Sequence, residues 1–491
     1  MHYSQKDISD IEHAEVVADL PEKILKDPRF KHLESITIPN HLKEMISKGD
    51  LEHREFRSGP FWQKIPYFKD TSPEEFMEVS FQNQNSVTKV AHLDDLLDNL
   101  VDPAFLADVH AGMAKAPMNL RISPYILSLI NWEDPYNDPL RKQFIPVASN
   151  LRRDHPKLTL DSLHEQEDSP VDGLVHRYFD KALFLPLDVC PVYCRFCTRS
   201  YAIGSDTDLV TKYSFKPVPK KWDRAFAYIA SRPEIEDVVV SGGDSYMLIP
   251  DRIRQIGEML LAIPHVRRIR FASKGPAVLP MKILSDQPWS QALIEVVNKG
   301  REMGKDVVLH THFNSPNEIT EITRKAMQFL FKEGVTVRNQ SVLLRGVNDN
   351  IQDMIHLVRK LSYMNVQPYY VYQHDMVRGL EEMRTTIQSA VELERNVRGA
   401  TAGFNTPLFV MDAPGGGGKR DVHSYDYYDP VSGISVYRSP SVDEEKVYLY
   451  FDPIQLLPEE GQALWADPKR HQEMIDDAIA RSGNQKLEPA T

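Results

Sequence analysis

Asp188-Val-Cys-Pro-Val-Tyr-Cys-Arg-Phe-Cys-Thr-Arg199 decides how this chain is read. The 491 residues include 3 cysteines, and all of them, Cys190, Cys194 and Cys197, stand in this stretch. Three neighbouring thiols cannot build a disulfide framework, because one is left over and no further cysteine exists to pair with it. They can hold a metal centre. A four-iron cluster takes one thiolate per iron. Three thiolates therefore leave one iron open, much as a catalytic metal keeps an open position. Two other readings stand beside this one. The cysteines are buried and inert, or they bind zinc, which usually brings a fourth Cys or His at a set spacing.

Working outward, short apolar runs alternate with helical patterns from about residue 180. The strand candidates are 182–187, 237–241, 266–272, 307–313, 335–344 and 366–372. Between them lie segments of 3.6-residue periodicity such as 253–261 and 319–331. This alternation predicts an α/β fold with a parallel sheet and crossover helices. Six such units make a partial (β/α)6 barrel. Sites in parallel barrels are built at the C-terminal ends of the strands, and the cysteine stretch directly follows the first strand. Residues 1–170 read as a helical, loop-rich N-terminal region, with amphipathic stretches at 93–100 and 124–131. The stretch Asp134-Pro-Tyr-Asn-Asp-Pro139 breaks any regular element there. The barrel is expected over 171–400. A C-terminal region over 401–491 holds a strand at 404–412, a glycine run, and a tail rich in Tyr, Asp and Pro with a helix near 470–481.

Composition narrows the functional classes. The length suits two or three domains, or one large core with extensions. Hydrophobic content of 42% and charged content of 26% are those of a soluble globular protein. A net charge of −12 without a basic stripe argues against nucleic acid as a partner. No apolar run approaches the ~18 residues that span a membrane. The start, Met1-His-Tyr-Ser-Gln-Lys-Asp-Ile, carries charges where a signal peptide needs an apolar core. With no disulfide cysteines, a cytoplasmic location is expected.

Further motifs carry chemistry. Ser241, Gly242, Gly243 and Asp244 end the second strand candidate; the glycines allow close approach of a ligand, and Asp244 can take a ligand ammonium. The same four residues also read as a plain tight turn. Pro414-Gly-Gly-Gly-Gly-Lys419 fails as a P-loop, because Ala413 stands where Gly is required and Arg420 where Ser or Thr is required. Its amides offer a phosphate cradle, beside which Lys419 suits a Schiff base with pyridoxal phosphate (PLP); a flexible surface loop is the plainer reading. Asp375 and Asp412 each end a strand candidate. Two carboxylates in one pocket suit a cationic side chain, and both also read as caps or solvated acids. Arg177 suits a phosphate or a surface ion pair. Arg199, two residues past Cys197, suits bidentate capture of a carboxylate.

The Cys-x3-Cys-x2-Cys spacing resembles that of the radical S-adenosylmethionine (SAM) enzymes, whose open iron binds SAM. Taken together, these motifs resemble the lysine 2,3-aminomutase family of PLP-dependent radical SAM enzymes. The resemblance runs from about Arg121 to Lys419. It includes Ser123-Pro-Tyr-Ile-Leu-Ser-Leu-Ile130, Asp168-Ser-Pro-Val-Asp-Gly-Leu-Val-His-Arg-Tyr178, Thr311-His-Phe-Asn-Ser-Pro-Asn-Glu-Ile-Thr320 and Asn339-Gln-Ser-Val-Leu-Leu-Arg-Gly-Val-Asn-Asp349. It implies a radical SAM partial barrel with a [4Fe-4S] cluster on Cys190, Cys194 and Cys197, and SAM held near Ser241–Asp244. It further implies PLP on Lys419 with its phosphate at Arg177, the substrate carboxylate at Arg199, and the side-chain ammonium of lysine at Asp375 and Asp412. Glutamate-specific relatives replace that acidic pair with Lys and Asn. The implied reaction is conversion of L-lysine to L-β-lysine, an isomerisation. An electron donor such as flavodoxin or ferredoxin and a homo-oligomeric state are implied with it.

The chain departs from the family pattern in places. Lys181 stands where a second PLP-contacting Arg is common. An insertion occupies 285–305, and His374 and Arg378 make the surroundings of Asp375 more basic. The C-terminal cysteines that bind zinc in some members are absent. Arginine, ornithine or a lysyl side chain of a protein thus stand as alternative substrates, and a non-catalytic relative that binds cluster and PLP as an alternative function.

Overall fold

The computed structural model describes residues 26–29, 39–47, 51–213 and 219–483. The charged stretch 1–8, read above for targeting, lies outside the described residues. The chain divides into two compact units, Met1–Glu55 and Phe56–Thr491. The first holds the short helix Asn40–Ser47. The second contains the boundaries drawn above at 170 and 400, and everything that follows concerns it. Among the described residues no helix is long and apolar enough to cross a membrane.

Among the described residues nine strands form one sheet in chain order: β1 (Leu174–Tyr178), β2 (Lys181–Phe184), β3 (Asp237–Val240), β4 (Arg268–Ala272), β5 (Asp306–Thr311), β6 (Val337–Val342), β7 (Val366–Tyr372), β8 (Leu408–Ala413) and β9 (Gly418–Asp421). Strands β2 to β8 run parallel, while β1 and β9 pair antiparallel at the two edges. The helices Pro219–Ala230, Pro250–Ala262, Gln287–Glu302, Glu321–Lys332, Ile351–Tyr363 and Ile387–Val397 make the six crossovers. The apparent insertion at 285–305 is thus mostly one of these helices. The stretch 404–412, expected beyond the barrel, supplies β8, which pairs parallel with β7 through Tyr370↔Leu408. Six helices therefore join seven parallel strands.

Local chemistry starts and stops these elements. Thr320 caps Glu321–Lys332 reciprocally with Thr323. Asp138, in the Pro/Asp-rich stretch, caps Pro139–Phe144 by accepting from two backbone N–H groups. The strands alternate. Ile269 and Phe271 of β4 join the apolar core, whereas Arg270 on the other face meets Asp237 of β3 at 2.8 Å.

A flat nine-stranded sheet would hold its edges about 38 Å apart at ~4.8 Å per strand. Here the edges touch: the backbone N–H of Lys419 in β9 donates to the Tyr178 hydroxyl in β1 at 2.9 Å. The sheet therefore curls into a partial barrel whose first and last strands meet. Beyond it, β10 (Tyr427–Asp429), β11 (Ile434–Ser439) and β12 (Asp443–Phe451) form a separate antiparallel sheet. Val436, Leu449 and Phe451 of that sheet share one apolar core with Val371, Phe409 and Met411 of β7 and β8.

Candidate active site

The cysteine loop leaves β2 and passes over the end of β3. The N–H groups of Gly243 and Asp244 donate to the carbonyls of Leu187 and Val189 at 2.6 and 2.9 Å. This contact requires the glycines. A Cβ on Gly242 would stand 2.2 Å from Leu187 O, and one on Gly243 2.3 Å from Val189 O. Ser241 continues the ladder by donating its N–H to Phe184 O at 2.8 Å. The Asp244 carboxylate accepts the N–H of Tyr246 at 2.9 Å and of Lys274 at 2.8 Å, so it ties β3 to the end of β4.

Cys190, Cys194 and Cys197 are free and half-buried. Burial first, then the charge of Asp244 and after it the neighbouring thiols, pushes the Cys190 thiol well up. Cys194 and Cys197 are likewise raised by burial, against which Lys274 and the Arg199 backbone N–H respectively act. Among the described residues no three His, Cys, Asp or Glu side chains converge on one point as a single metal ion requires. A single zinc needs its ligand atoms about 2.3 Å from one centre, whereas a cluster spreads one thiolate to each iron. Three thiolates suit a cluster that takes one thiolate per iron and leaves one iron open.

At the other end of the sheet, the glycine run is the turn between β8 and β9, with Asp412 facing Lys419 and Ala413 facing Gly418. Two of the amides in the expected phosphate cradle are taken up within the protein. Gly415 N–H donates to Ser162 O and Gly417 N–H to Ala413 O, both at 3.0 Å. Three glycines of the turn have positive φ (77°, 84° and 73° at Gly415, Gly416 and Gly418), which explains their identity. Lys419 Nζ lies 3.1 Å from Asp412 Oδ2 and 5.6 Å from the ring centres of both Tyr178 and Tyr372. Burial opposes the Lys419 charge, and Asp412 more than offsets it, so the amine is held well above its ordinary value.

Arg177 extends from β1 toward the same turn. Its Nε donates to Asp168 Oδ2 at 2.6 Å and an Nη to Leu163 O. Burial disfavours its charge, and Asp412 and Asp168 restore it. Arg199 is held in bidentate fashion by Glu165, at 2.8 and 2.7 Å, and Tyr201 donates to the same carboxylate at 3.0 Å. Lys181, where a second phosphate-binding Arg is common, instead meets Asp180 at 2.7 Å. Asp375 follows β7. Burial raises its pKa well above the usual carboxylate value, Asp412 adds to this, and Lys419 opposes it. Oδ1 of Asp375 and Oδ1 of Asp412 are each shielded from solvent with no hydrogen-bond partner among the described residues. Two buried acceptors beside one pocket are unfavourable unless a donor reaches them.

The sequence brought Arg177, Arg199, Asp375, Asp412 and Lys419 forward, and the structure gathers them at this one end. It adds Glu165, Asp168, Tyr178 and Tyr372. Glu165 sits in Leu163-His-Glu-Gln-Glu-Asp168, an acidic run that reads locally as a solvated loop; nothing in the sequence pairs it with Arg199.

No family model matches the chain. An L-lysine 2,3-aminomutase of Clostridium subterminale is 41% identical over 362 residues, covering 73% of this chain and 81% of that protein. The Bacillus subtilis (strain 168) L-lysine 2,3-aminomutase is 35% identical over 369 residues, covering 75% and 74%. The chain belongs to the lysine 2,3-aminomutase family. The family also has a glutamate branch: a glutamate 2,3-aminomutase of Clostridioides difficile is 30% identical, covering 73% of this chain and 79% of that protein. A crystal structure of Streptococcus suis SuiB bound to S-adenosylmethionine has a TM-score of 0.33 at 12% identity and covers 48% of each chain; at that level of likeness no chemistry follows. The partial barrel with a cysteine loop after its first parallel strand is the fold of this aminomutase family member.

Proposed function

We propose that this family member moves the α-amino group of L-lysine to the β-carbon, giving L-β-lysine. The observation that carries the choice of substrate is the pair of shielded, unpartnered carboxylate oxygens on Asp375 and Asp412. A distal ammonium supplies the donor they lack, which a carboxylate side chain cannot. When bound, a [4Fe-4S] cluster with SAM on Cys190, Cys194 and Cys197 supplies the hydrogen-abstracting radical, and PLP on Lys419 carries the migrating nitrogen.

The chain's own residues bind, orient and exclude water. Arg177 offers a charged anchor for a phosphate beside the β8–β9 turn. Arg199 spends Nε and one Nη2 proton on Glu165 and leaves Nη1 and the second Nη2 proton for the α-carboxylate. Asp412 Oδ2 accepts a proton from Lys419 Nζ and can take it up when the amine reacts. The rings of Tyr178 and Tyr372 flank this amine, each centre 5.6 Å from Nζ. Near the cysteines, Ser241–Asp244 holds the loop to β3 and borders the place for SAM. The reading includes a flavodoxin- or ferredoxin-type donor of single electrons, a cytoplasmic location and a homo-oligomeric state.

The test is an anaerobic assay of reconstituted protein with PLP, SAM and reductant. Lysine, arginine, ornithine and glutamate are offered in parallel, and β-amino isomers are sought by mass spectrometry. The expected product is β-lysine. A β-isomer from arginine or ornithine alone reassigns the side-chain pocket, and one from glutamate alone refutes the role given to Asp375 and Asp412.

A further inference from the structure

The sheet that follows Asp421 contributes none of the site residues described above, yet β12 stands directly behind two pieces of the site. Tyr450 is fully buried. Its hydroxyl donates to the carbonyl of His374 at 2.9 Å and accepts from the side-chain amide of Gln373, also at 2.9 Å. That amide also reaches Thr385 O at 2.6 Å, while Gln373 N–H donates to Val410 O of β8 at 2.7 Å. The next carbonyl, that of Asp375, accepts from His374 Nδ1 at 2.7 Å and from Val377 N–H at 2.9 Å. The carbonyls of His374 and Asp375 are thus both taken, and the Asp375 carboxylate projects from a pinned backbone with Oδ1 unpartnered among the described residues.

The pin is itself anchored. The Arg384 guanidinium lies 5.2 Å from the Tyr450 ring centre. Arg384 and Glu381, both fully buried, pair at 2.6 Å, and Arg384 also donates to Phe451 O. Two residues back on the same face of β12, Tyr448 lies behind the turn that carries Lys419: a Cβ on Gly417 would stand 2.4 Å from its Cδ1. One strand therefore braces both the Asp375 turn and the Lys419 turn.

We infer that Tyr450 is a positioning residue for substrate selection: through the His374 carbonyl it sets where the Asp375 carboxylate meets the distal ammonium. The C-terminal sheet thereby fixes the length of cationic side chain that the site takes. This rests on the reading of Asp375 and Asp412 as the ammonium site.

The experiment uses full-length protein loaded with PLP and follows binding by the change in PLP absorbance. The ligands are lysine and norleucine, which matches lysine in length but lacks the ammonium. Tyr450→Phe keeps the ring over Arg384 and removes only the hydroxyl. Losing one buried hydrogen bond to the turn is expected to weaken lysine about tenfold and norleucine less than about twofold. Combined with Asp375→Asn, the two effects on lysine should be non-additive, because one acts through the other. Gln373→Asn, which withdraws the second partner of the Tyr450 hydroxyl, should shift selection in the same direction and serves if Tyr450→Phe folds poorly. Equal weakening of both ligands, or additivity with Asp375→Asn, would overturn the inference. If Asp375→Asn itself leaves the preference for lysine over norleucine intact, the ammonium-site reading fails, and this inference falls with it.

Discussion

The two ends of the barrel sheet are built on opposite principles. At the β2–β4 end, small residues and backbone make the structure: glycines of the Ser241–Asp244 turn lie under the cysteine loop at distances that exclude a Cβ, and the thiols sit in apolar surroundings. At the β7–β9 end, charged side chains make it. Lys419 there, Arg177 on the adjoining β1 and Arg199 at the close of the cysteine loop are each matched to a carboxylate, while among the described residues Asp375 Oδ1 and Asp412 Oδ1 are left over. The first end tolerates almost no change in shape. The second is tuned by charge and hydrogen bonding, so it is where substrate choice can vary while the fold stays constant.

That contrast can be broken at several points. The largest effect is expected from Lys419→Ala, which should abolish both the absorbance of bound PLP and turnover while iron content stays near that of the parent protein. A Lys419→Ala protein that still turns over would remove the β9 end from the chemistry. Gly243→Ala is the converse. Its new methyl meets the Val189 backbone, and the displaced cysteine loop should lose more than half of its iron, by colorimetric assay, while PLP absorbance is retained. Full iron loading in that variant would show that the loop adapts and that the shape argument is too strict.

Asp375→Asn should weaken lysine by about 1.5–3 kcal/mol, the size of a charged hydrogen bond, and norleucine far less. A pH dependence accompanies it. Burial raises the Asp375 pKa, so at pH below that raised value the free protein holds a proton there that an arriving ammonium displaces. Lysine affinity should therefore climb as pH rises from the ordinary carboxylate range toward that raised value, with a proton released on binding. The stability of the free protein should decline over the same window, because the folded state binds the extra proton. Calorimetry in buffers of different ionisation enthalpy reads the released proton, and its persistence in Asp375→Asn would assign it elsewhere.

The smallest effect is expected from Glu165→Gln, which keeps a hydrogen-bond acceptor for Arg199 and removes the charge. A loss of about 1 kcal/mol in lysine binding is expected, with no loss for cadaverine, which lacks the α-carboxylate. Equal losses for both would mean that Glu165 supports the pocket in general rather than Arg199 in particular.

The same contrast explains what could be read before the structure. Cys190, Cys194 and Cys197 are adjacent in sequence, and the strand–helix alternation around them is local periodicity, so both were legible. So was Lys419, through its glycines. Their local contacts were not legible, because a run of glycines looks alike whether or not two of its amides meet Ser162 O and Ala413 O, as they do here. Glu165 and Tyr450 were not legible at all. Each acts only through a contact that closes over a long stretch of chain, and an acidic loop residue or a strand tyrosine carries no local mark of that. The strand at 404–412 was found, but its place as the seventh parallel strand depends on pairing with β7, which no local pattern encodes.

The meeting of β1 and β9 has a consequence for how the molecule is made. The Lys419–Tyr178 contact spans 241 residues and the Gln373–Tyr450 contact 77. During synthesis, the cysteine loop and the turn beneath it emerge and can pack long before β9 exists, whereas the lysine pocket stays open until the chain has passed Tyr450. Loop closure of that span makes the last step slow relative to the local ones. The two halves of the site therefore differ in age within each new molecule: the thiol end is old when the lysine end is born.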